Sequence, residues 1–349
     1  SSIACGNTSA PGGADADALS PGTLLANRCS AMSDNWLQQA IRRQRAGLSA
    51  RLREPLSRIA GHCVSVWEDC PALEQVLVAA LPQLSPCHLL YAVNADGTQR
   101  SANITADGLD ATVRGQNLAD RPYLTAVSPD AAVALSEVYI SRVTQRPCVT
   151  AVQPIANMGH ALGYLAADFA LRDLPVVGAA HAMAGDEQRP ARQIKGDPAI
   201  RSTVFEQRRV DSDMDRSMTS LLATMDELIG ERGVFHAKLH FSSSRATLWL
   251  TDDPYRYRVH VLREIIDPSV CLAYPPRAYP EQAVVERTDI MAVFERLALL
   301  RRLDDTFYLR SGSLNIINGM VGLTFSCDGT YYLAADEFLA TDERFWVGA

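Results

Sequence analysis

The chain has 349 residues, of which 47% are hydrophobic and 21% are charged, a composition typical of a soluble globular protein with room for two domains. Its formal net charge of −7 argues against a general nucleic-acid binder, which would normally carry a strongly basic domain. The sequence contains no run of 18 or more apolar residues and no basic, apolar leader, so we expect neither a membrane span nor a signal peptide.

Eight cysteines are scattered along the sequence, without a CxxC pair or the paired spacing of a zinc site. We therefore expect no metal ion and no cofactor. Cysteines inside apolar runs behave as small hydrophobic residues, which favours reduced thiols and a cytoplasmic location. The chain does not begin with Met, so an extracytoplasmic location stays open if an upstream segment has been removed.

The predicted elements begin after a tail, residues 1–32, that is rich in Gly, Ala, Ser and Pro and has no period. A long amphipathic helix follows over residues 34–59, with a kink predicted near Pro55. Its apolar residues recur at helical spacing: Leu37, Ile41, Leu48, Leu52, Leu56 and Ile59. A second helix is predicted over PALEQVLVAAL, residues 71–81.

Strand patterns follow in the order two strands, a helical insert and three strands. HLLYAVN and TQRSANI form a hairpin, and LSEVYISRV, CVTAVQPI and LGYLAADFAL form the later strands. This order predicts a five-stranded antiparallel sheet with a pocket on one face. With the long helix it makes a first α+β domain over residues 33–187.

The second half is predicted as another α+β domain over residues 231–349, preceded by a linker and connecting helix over residues 188–230. FHAKLHF alternates as a strand, and Asn-Gly and Asp-Gly turns predict hairpins in an antiparallel sheet. If two of its strands are neighbours, their basic residues form a face for an acidic protein partner; an ordinary solvated face is the alternative. The residues of this predicted basic face are His236, Lys238, His240, Arg256, Arg258 and His260.

Catalytic motifs are absent from the sequence, which has no GxSxG elbow, no phosphate-binding P-loop and no GxGxxG. His236 and His240 would lie roughly 13 Å apart on a strand, too far to share one metal ion. We therefore expect that the protein is not an enzyme. The remaining catalytic alternative uses His236, His240 or Cys327 in the second domain.

A candidate binding loop lies in GQNLADRPYL, residues 115–124, where Arg121 and Tyr123 flank a stiffening proline. Tyr139 and Ser141 alternate onto one side of the next strand. Arginine forms a fixed fork for carboxylates, and aromatic rings supply walls for a pocket. These residue types in this order indicate a small-molecule site.

Asp168 lies near the end of an apolar strand, where an unpaired carboxylate would be costly. We expect it to pair with an arginine, with backbone N–H groups, or with the ammonium or hydroxyl group of a ligand. A structural Arg121–Asp168 pair or a strand-end cap is the alternative to a ligand site.

Three segments of the sequence, GQNLADRPYL, LSEVYISRVTQRPCVTAVQPI and LGYLAADFAL, together resemble the Cache sensor domains, which are PAS-like bacterial ligand-sensing modules. The shared pattern over residues 34–174 is a G-x-(N/D)-L-x-x-R-x-Y loop, an S-x-x-Y strand with a (T/R)-x-x-P-x-(I/V)-T turn, and a closing G-x-L-x-x-D strand. The resemblance implies a pocket for an amino acid, a carboxylate or another metabolite. The implied ligand-binding residues are Arg121, Tyr123, Tyr139, Ser141, Thr150 and Asp168. The end of the second half echoes the closing strand, which suggests a second PAS-like unit.

The sequence thus predicts a small-metabolite sensor for signal transduction, which passes its bound state through helices to the second domain or a partner. We expect a homodimer formed through the 34–59 helix, and no nucleic-acid partner. The alternative is a scaffold protein with a degenerate pocket that acts through protein contacts.

Overall fold

The computed structural model describes residues 21–125, 133–141, 144–174, 208–326, 329–342 and 345–346. For residues 21–35, Pro122 and Thr125 it describes the backbone alone. Within these ranges the chain forms two antiparallel sheets with helices packed against them, so the predicted α+β class is confirmed.

Helix α1, Pro21–Ser65, carries the predicted apolar stripe. The stripe is buried along its length except at Leu52, which is half-buried. The helix begins before the predicted start, so residues 21–32 are helical rather than part of a tail, and residues 1–20 lie outside the described residues. It also continues through Pro55, because buried Leu56 and Ile59 hold the segment that follows the lost backbone hydrogen bond.

Helix α2, Cys70–Ala80, begins as the sequence predicts, with the Asp69 side chain accepting a hydrogen bond from Ala72 N–H at 3.1 Å. Its buried Glu74 binds one residue of the first hairpin and one residue of the insert that follows it. Arg114 Nη2 donates to Glu74 Oε2 at 2.6 Å, and the Ala102 N–H donates to Glu74 Oε1 at 2.6 Å. One carboxylate therefore fixes the start of the helical insert against α2.

The first sheet contains seven strands, all paired antiparallel, where the sequence predicts five. In chain order the elements are β1 Leu89–Asn94, β2 Asn103–Thr105, β3 Gly108–Asp110, α3 Pro122–Thr125, β4 Ala134–Leu135, β5 Tyr139–Ile140, β6 Pro147–Asn157 and β7 His160–Ala170. The strand order is β3-β2-β1-β7-β6-β4, with β5 also paired to β6. The last strand, β7, therefore lies in the middle of the sheet.

The two faces of this sheet have different coverings. Leu90, Ala151 and Ala167 point to the face that packs against α1. The other face carries a smaller cluster that includes Tyr91 and Val152 and is covered by the insert that contains α3. The second face is the one on which the sequence predicts a pocket.

The second unit has helices against one face of a six-stranded sheet. Its elements are α4 Asp213–Arg216, α5 Met218–Glu231, β8 Val234–His240, β9 Arg245–Leu250, β10 Asp253–Val261, α6 Leu262–Ile265, a 3-10 helix Pro268–Ala273, α7 Asp289–Arg302, β11 Leu309–Asn315, β12 Met320–Phe325, β13 Thr330–Ala334 and α8 Ala335–Ala340. The strand order is β10-β9-β8-β11-β12-β13. Because its last strand lies at an edge, this sheet does not repeat the strand order of the first, which gives no support to the suggested second PAS-like unit.

The predicted basic face of the second sheet is not formed. Strand β9 lies between β8 and β10, and the register places His236 on the same side as Tyr257. Arg258 and His260 therefore point to the opposite face, and Arg256 lies in an irregular part of β10. The prediction failed because alternation within one strand does not fix its register against the next strand. The structure therefore gives no support to an acidic partner on this face.

The displaced basic residues of β10 instead face α1 and the segment around Tyr274, with His260 buried and Arg258 half-buried. His260 is hydrogen-bonded through Nδ1 to Glu264 at 2.9 Å and through Nε2 to the Tyr274 hydroxyl at 2.5 Å. The guanidinium of Arg258 lies 4.6 Å from the ring centre of Trp36 on α1. The Trp36 and Tyr274 rings meet edge to face. This contact joins the long helix to the second unit.

A second junction joins the end of β7 to α5, which also packs against α7 and β8. Arg232, directly after α5, donates to the Leu171 carbonyl at 2.7 Å and to Glu227 at 3.1 Å. Arg172 approaches Glu227 at 3.8 Å and Glu231 at 3.4 Å. Glu227 is buried, so its charge depends on both arginines for compensation.

The apolar side of α1 is used within its own chain, where it packs against β6 and the 3-10 helix Pro268–Ala273. The side left exposed is polar and rich in arginine. This arrangement gives no support to the homodimer predicted through residues 34–59. No helix in the described ranges is both long and apolar enough to cross a membrane.

The buried ion pair between Asp215 and Arg301 generates a stability prediction. Arg301 Nε donates to Asp215 Oδ1 at 2.9 Å, and both side chains are 3% exposed. Asp215→Asn leaves the guanidinium without a carboxylate, so we expect the free energy of unfolding in urea to fall by about 3 kcal/mol. Asp213→Asn in the same helix is the control, since the Asp213 side chain is 72% exposed and its loss should cost under about 1 kcal/mol. Equal losses in the two variants would contradict the prediction.

Candidate functional site

The candidate site lies on the face of the first sheet opposite α1. The register of β6 and β7 places Thr150 directly opposite Asp168, and the register of β1 and β7 places Leu89 on the other side of Asp168. Because side chains directly opposite each other share a face, Thr150 and Asp168 point to the same side of the sheet. Both are buried.

Strand β5 brings Tyr139 over this pair. It is held to β6 by the pairing of Tyr139 with Cys148. The Tyr139 hydroxyl shares a hydrogen bond with Thr150 Oγ1 at 2.8 Å and donates to Asp168 Oδ2 at 3.4 Å. Burial raises the pKa of Tyr139, and the charge of Asp168 raises it further, so its hydroxyl stays protonated as a donor.

Helix α3 supplies the cover of the site. Tyr123 on this helix is buried, and its ring centre lies 6.2 Å from that of Tyr139. Its hydroxyl interacts with that of Tyr91 on β1. Burial raises the pKa of both Tyr91 and Tyr123, so the site contains three protonated phenols.

Asp168 has an unusual electrostatic environment. Burial raises the pKa of its carboxyl group to about 7, although hydrogen bonds from Thr150 and Tyr139 and the charge of Arg121 lower it. Its Oδ1 is buried and has no hydrogen-bond partner among the described residues. Half-buried Arg121 therefore acts on Asp168 through its charge and not through a hydrogen bond to Oδ1. The structural Arg121–Asp168 pair that was the alternative at this oxygen is not formed.

Five of the six predicted site residues are thus brought together: Arg121, Tyr123, Tyr139, Thr150 and Asp168. Ser141 has a role in the adjacent turn, because its Oγ accepts a hydrogen bond from Thr144 N–H at 3.3 Å and its N–H donates to Arg146 O at 2.9 Å.

Sequence reasoning missed Tyr91. Its only signal is its place in the strand HLLYAVN, where a tyrosine interrupts an apolar run. That strand neighbours β7 only because the last strand of the sheet inserts beside the first, with Tyr91 opposite Ala166. The pairing of two segments so far apart in the chain brings Tyr91 into the site.

The two histidines among the candidate catalytic residues of the second unit each contact a neighbouring side chain. His236 stacks on Trp249 with ring centres 4.3 Å apart, and His240 Nε2 is hydrogen-bonded to Thr247 at 3.0 Å. Burial lowers the pKa of each histidine to about 4, so both are neutral. Cys327 lies outside the described residues, and the ranges that the structure does describe hold no group of three metal-ligating side chains.

The first-sheet site is chemically suited to a small polar ligand. A carboxylate oxygen without a hydrogen-bond partner can accept a hydrogen bond from an ammonium or hydroxyl group. The phenols provide donors and ring faces. Arg121 adds a positive charge at the edge of the same site.

The raised pKa of Asp168 predicts a pH-dependent stability. The folded pKa of about 7 lies above the usual value of an aspartate, so the protonated form is favoured by folding and the stabilisation is lost as pH rises through 7. We expect wild type to lose about 3 kcal/mol relative to Asp168→Asn between pH 5 and pH 8, measured by urea unfolding. Asp107→Asn, at an exposed turn, should show no such difference. A difference in the free energy of unfolding between wild type and Asp168→Asn that does not change with pH would contradict the prediction.

No protein-family model matches the chain, and no curated protein matches it. Among solved structures, the ligand-binding domain of the Campylobacter jejuni chemoreceptor Tlp3 in complex with L-valine is similar, with 11% identity and a TM-score of 0.32 over 44% of this chain and 65% of that chain. The ligand-binding domain of the Pseudomonas fluorescens chemoreceptor CtaA in complex with L-alanine has 18% identity and a TM-score of 0.30 over 43% of this chain and 61% of that one.

An extracellular ligand binding receptor from Desulfohalobium retbaense has 12% identity and a TM-score of 0.31 over 40% of this chain and 25% of that chain. The chain therefore spans between 25% and 65% of the length of these three chains.

Proposed function

We propose that the first unit binds a small metabolite and that the protein is a sensor in signal transduction. The observation that carries this proposal is the buried Asp168 carboxylate, whose Oδ1 lacks a hydrogen-bond partner among the described residues. A buried polar atom without a partner is costly in a finished fold, and a ligand that donates a hydrogen bond removes that cost. The ligand class that fits is therefore a small molecule with an ammonium or hydroxyl group.

The remaining residues of the site favour a ligand with two kinds of polar group. Arg121 is positioned to attract a carboxylate, while Asp168 attracts an ammonium group. Tyr123 and Tyr139 provide walls and hydroxyl donors. An amino acid has both charges, and simple carboxylates or amines satisfy one side of the site.

The geometry supports a route from this site to the second unit. Asp168 lies on β7, and the chain leaves β7 directly into Leu171 and Arg172, which contact Arg232 and Glu227 at the α5 junction. A ligand that binds two arrangements of β7 unequally would shift the population of the α5 junction. The sequence favoured transmission through helix α1, and the end of β7 would be a second route.

A scaffold function is the second candidate, and one observation favours it. Tyr91 and Tyr123 are both buried against the sheet and fill part of the face on which a ligand would lie. If their rings do not move, the site is degenerate and the protein acts through surface contacts. Catalysis by His236 or His240 has less support, because each ring is already engaged with a neighbouring side chain.

A thermal-shift screen of the full chain against amino acids, small carboxylates and amines tests the sensor proposal. An amine-bearing ligand at about 100 times its Kd should stabilise the protein by about 2.7 kcal/mol. We expect this shift to vanish in Asp168→Asn, to weaken in Arg121→Ala, and to persist in the control Asp107→Asn. It should also grow from pH 6 to pH 8, because an ammonium ligand binds the ionised carboxylate. A shift that survives Asp168→Asn would place the ligand elsewhere, and no shift with any compound would favour the scaffold.

The proposed route to the second unit is tested by hydrogen exchange. With a ligand from the screen, amides of α5 should exchange more slowly, and Arg172→Gln should abolish this change while leaving ligand affinity within about threefold. Arg277→Gln is the matched control, because Arg277 forms an exposed ion pair with Asp252 in the second unit. An unchanged α5 response in Arg172→Gln would show that the signal travels by another route.

A further inference from the structure

The exposed side of α1 carries a concentration of positive charge. Five arginines are exposed there between positions 42 and 58, and the only acidic residue among them is Glu54. These are Arg42, Arg43, Arg51, Arg53 and Arg58, which we call the arginine face. The whole chain has a net charge of −7, so this face is opposite in sign to the protein that carries it.

The arginines of this face are not engaged in holding the fold. Within the described ranges the one ion pair on the face joins Arg58 to Glu54 at 3.8 Å, and both side chains are at least half exposed. Arg45 on the same helix shows the contrast, because it turns inward and donates to the carbonyls of Leu135 and Ser136 at 2.9 and 2.7 Å. The arginine face is therefore available to a partner.

The centre of the face is a line of small residues. Ala46, Ala50, Ser57 and Gly61 are exposed and recur at spacings of one or two helical turns. A Cβ atom at Gly61 would meet no other atom within 4 Å. At 100° per residue, Arg42 and Arg53 lie towards one side of this line, and Arg43, Arg51 and Arg58 towards the other. Arginines thus lie on both sides of the line of small residues, over a length of about 24 Å along the helix.

The charge excludes some occupants and favours one. A second copy of this helix would bring arginine against arginine, which is repulsive. A bilayer-binding helix needs apolar side chains on its outer face, and over residues 36–65 of α1, whose side chains are described, no large apolar residue is exposed. A partner helix can approach closely over small residues, and acidic side chains along its edges would meet the flanking arginines.

We propose that the arginine face of α1 is a docking surface for an acidic α-helix of a partner protein. The partner helix lies along Ala46, Ala50 and Ser57, and its carboxylates pair with arginines on both sides. Association is then steered by charge and weakens as salt increases. The surface is separate from the Asp168 site, so its occupancy does not depend on the proposed ligand.

The test uses the full chain and a fluorescein-labelled, stapled helical peptide with an alanine line flanked by glutamates. Fluorescence anisotropy should show binding at 50 mM salt that weakens at 300 mM salt, and no binding of the same peptide with Gln in place of Glu. Arg42→Gln/Arg53→Gln should weaken binding by about fivefold. Ala50→Trp should weaken it by about tenfold or more, because the ring blocks the close approach of a helix.

The matched control is Arg216→Gln/Arg256→Gln, which removes two exposed arginines elsewhere and should leave binding unchanged. All variants should keep the wild-type melting temperature within about 3 °C, since the altered side chains are exposed. Absence of peptide binding at low salt, or equal loss in the control, would overturn the proposal. Binding to vesicles of phosphatidylglycerol that survives Ala50→Trp, without peptide binding, would assign the face to a membrane and also overturn it.

Discussion

The apolar side of α1 packs against both units of the protein. The same apolar stripe covers the back of the first sheet at β6 and meets the 3-10 helix Pro268–Ala273 of the second unit. Trp36 extends this contact through Arg258 and Tyr274. Since this side of the helix is used within the chain, the polar side is the one that remains for partners. The division of α1 into two sides therefore joins the units and presents the arginine face.

The desolvation of Asp168 links the fold to the proposed function. The sheet could have placed an apolar residue opposite Thr150, yet it buries a carboxyl group and raises its pKa to about 7. Such a group is poorly satisfied in the free protein and better satisfied by a ligand that donates to it. The strand that bears it ends at the ionic junction of Arg172 with Glu227. The residue proposed to bind the ligand is therefore followed closely along the chain by the residue that contacts the second unit.

The two sheets show what a strand pattern can predict. Alternation along FHAKLHF correctly separates the buried Ala237 and Leu239 from Lys238. The same reasoning failed for Arg258 and His260, because an intervening strand and an irregular pairing near Asp253 decide which residues of β10 share that face. In the first domain, motif order grouped Arg121, Tyr139 and Asp168 but gave no indication of Tyr91. Its contribution depends on the pairing of β1 with the last strand.

Local sequence patterns were enough to predict the α+β class, the long amphipathic helix, the principal strands of the first sheet and the residue types of the candidate site. These depend on periods of 3.6 and 2 residues and on local turn chemistry, which neighbouring residues carry. The strand orders, the side of β10 that is buried, the unpartnered Oδ1 of Asp168 and the use of one side of α1 within its own chain became known from the folded structure. Those features arise from contacts between distant segments, whose register and desolvation are energies of the assembled fold and are not written in any local pattern.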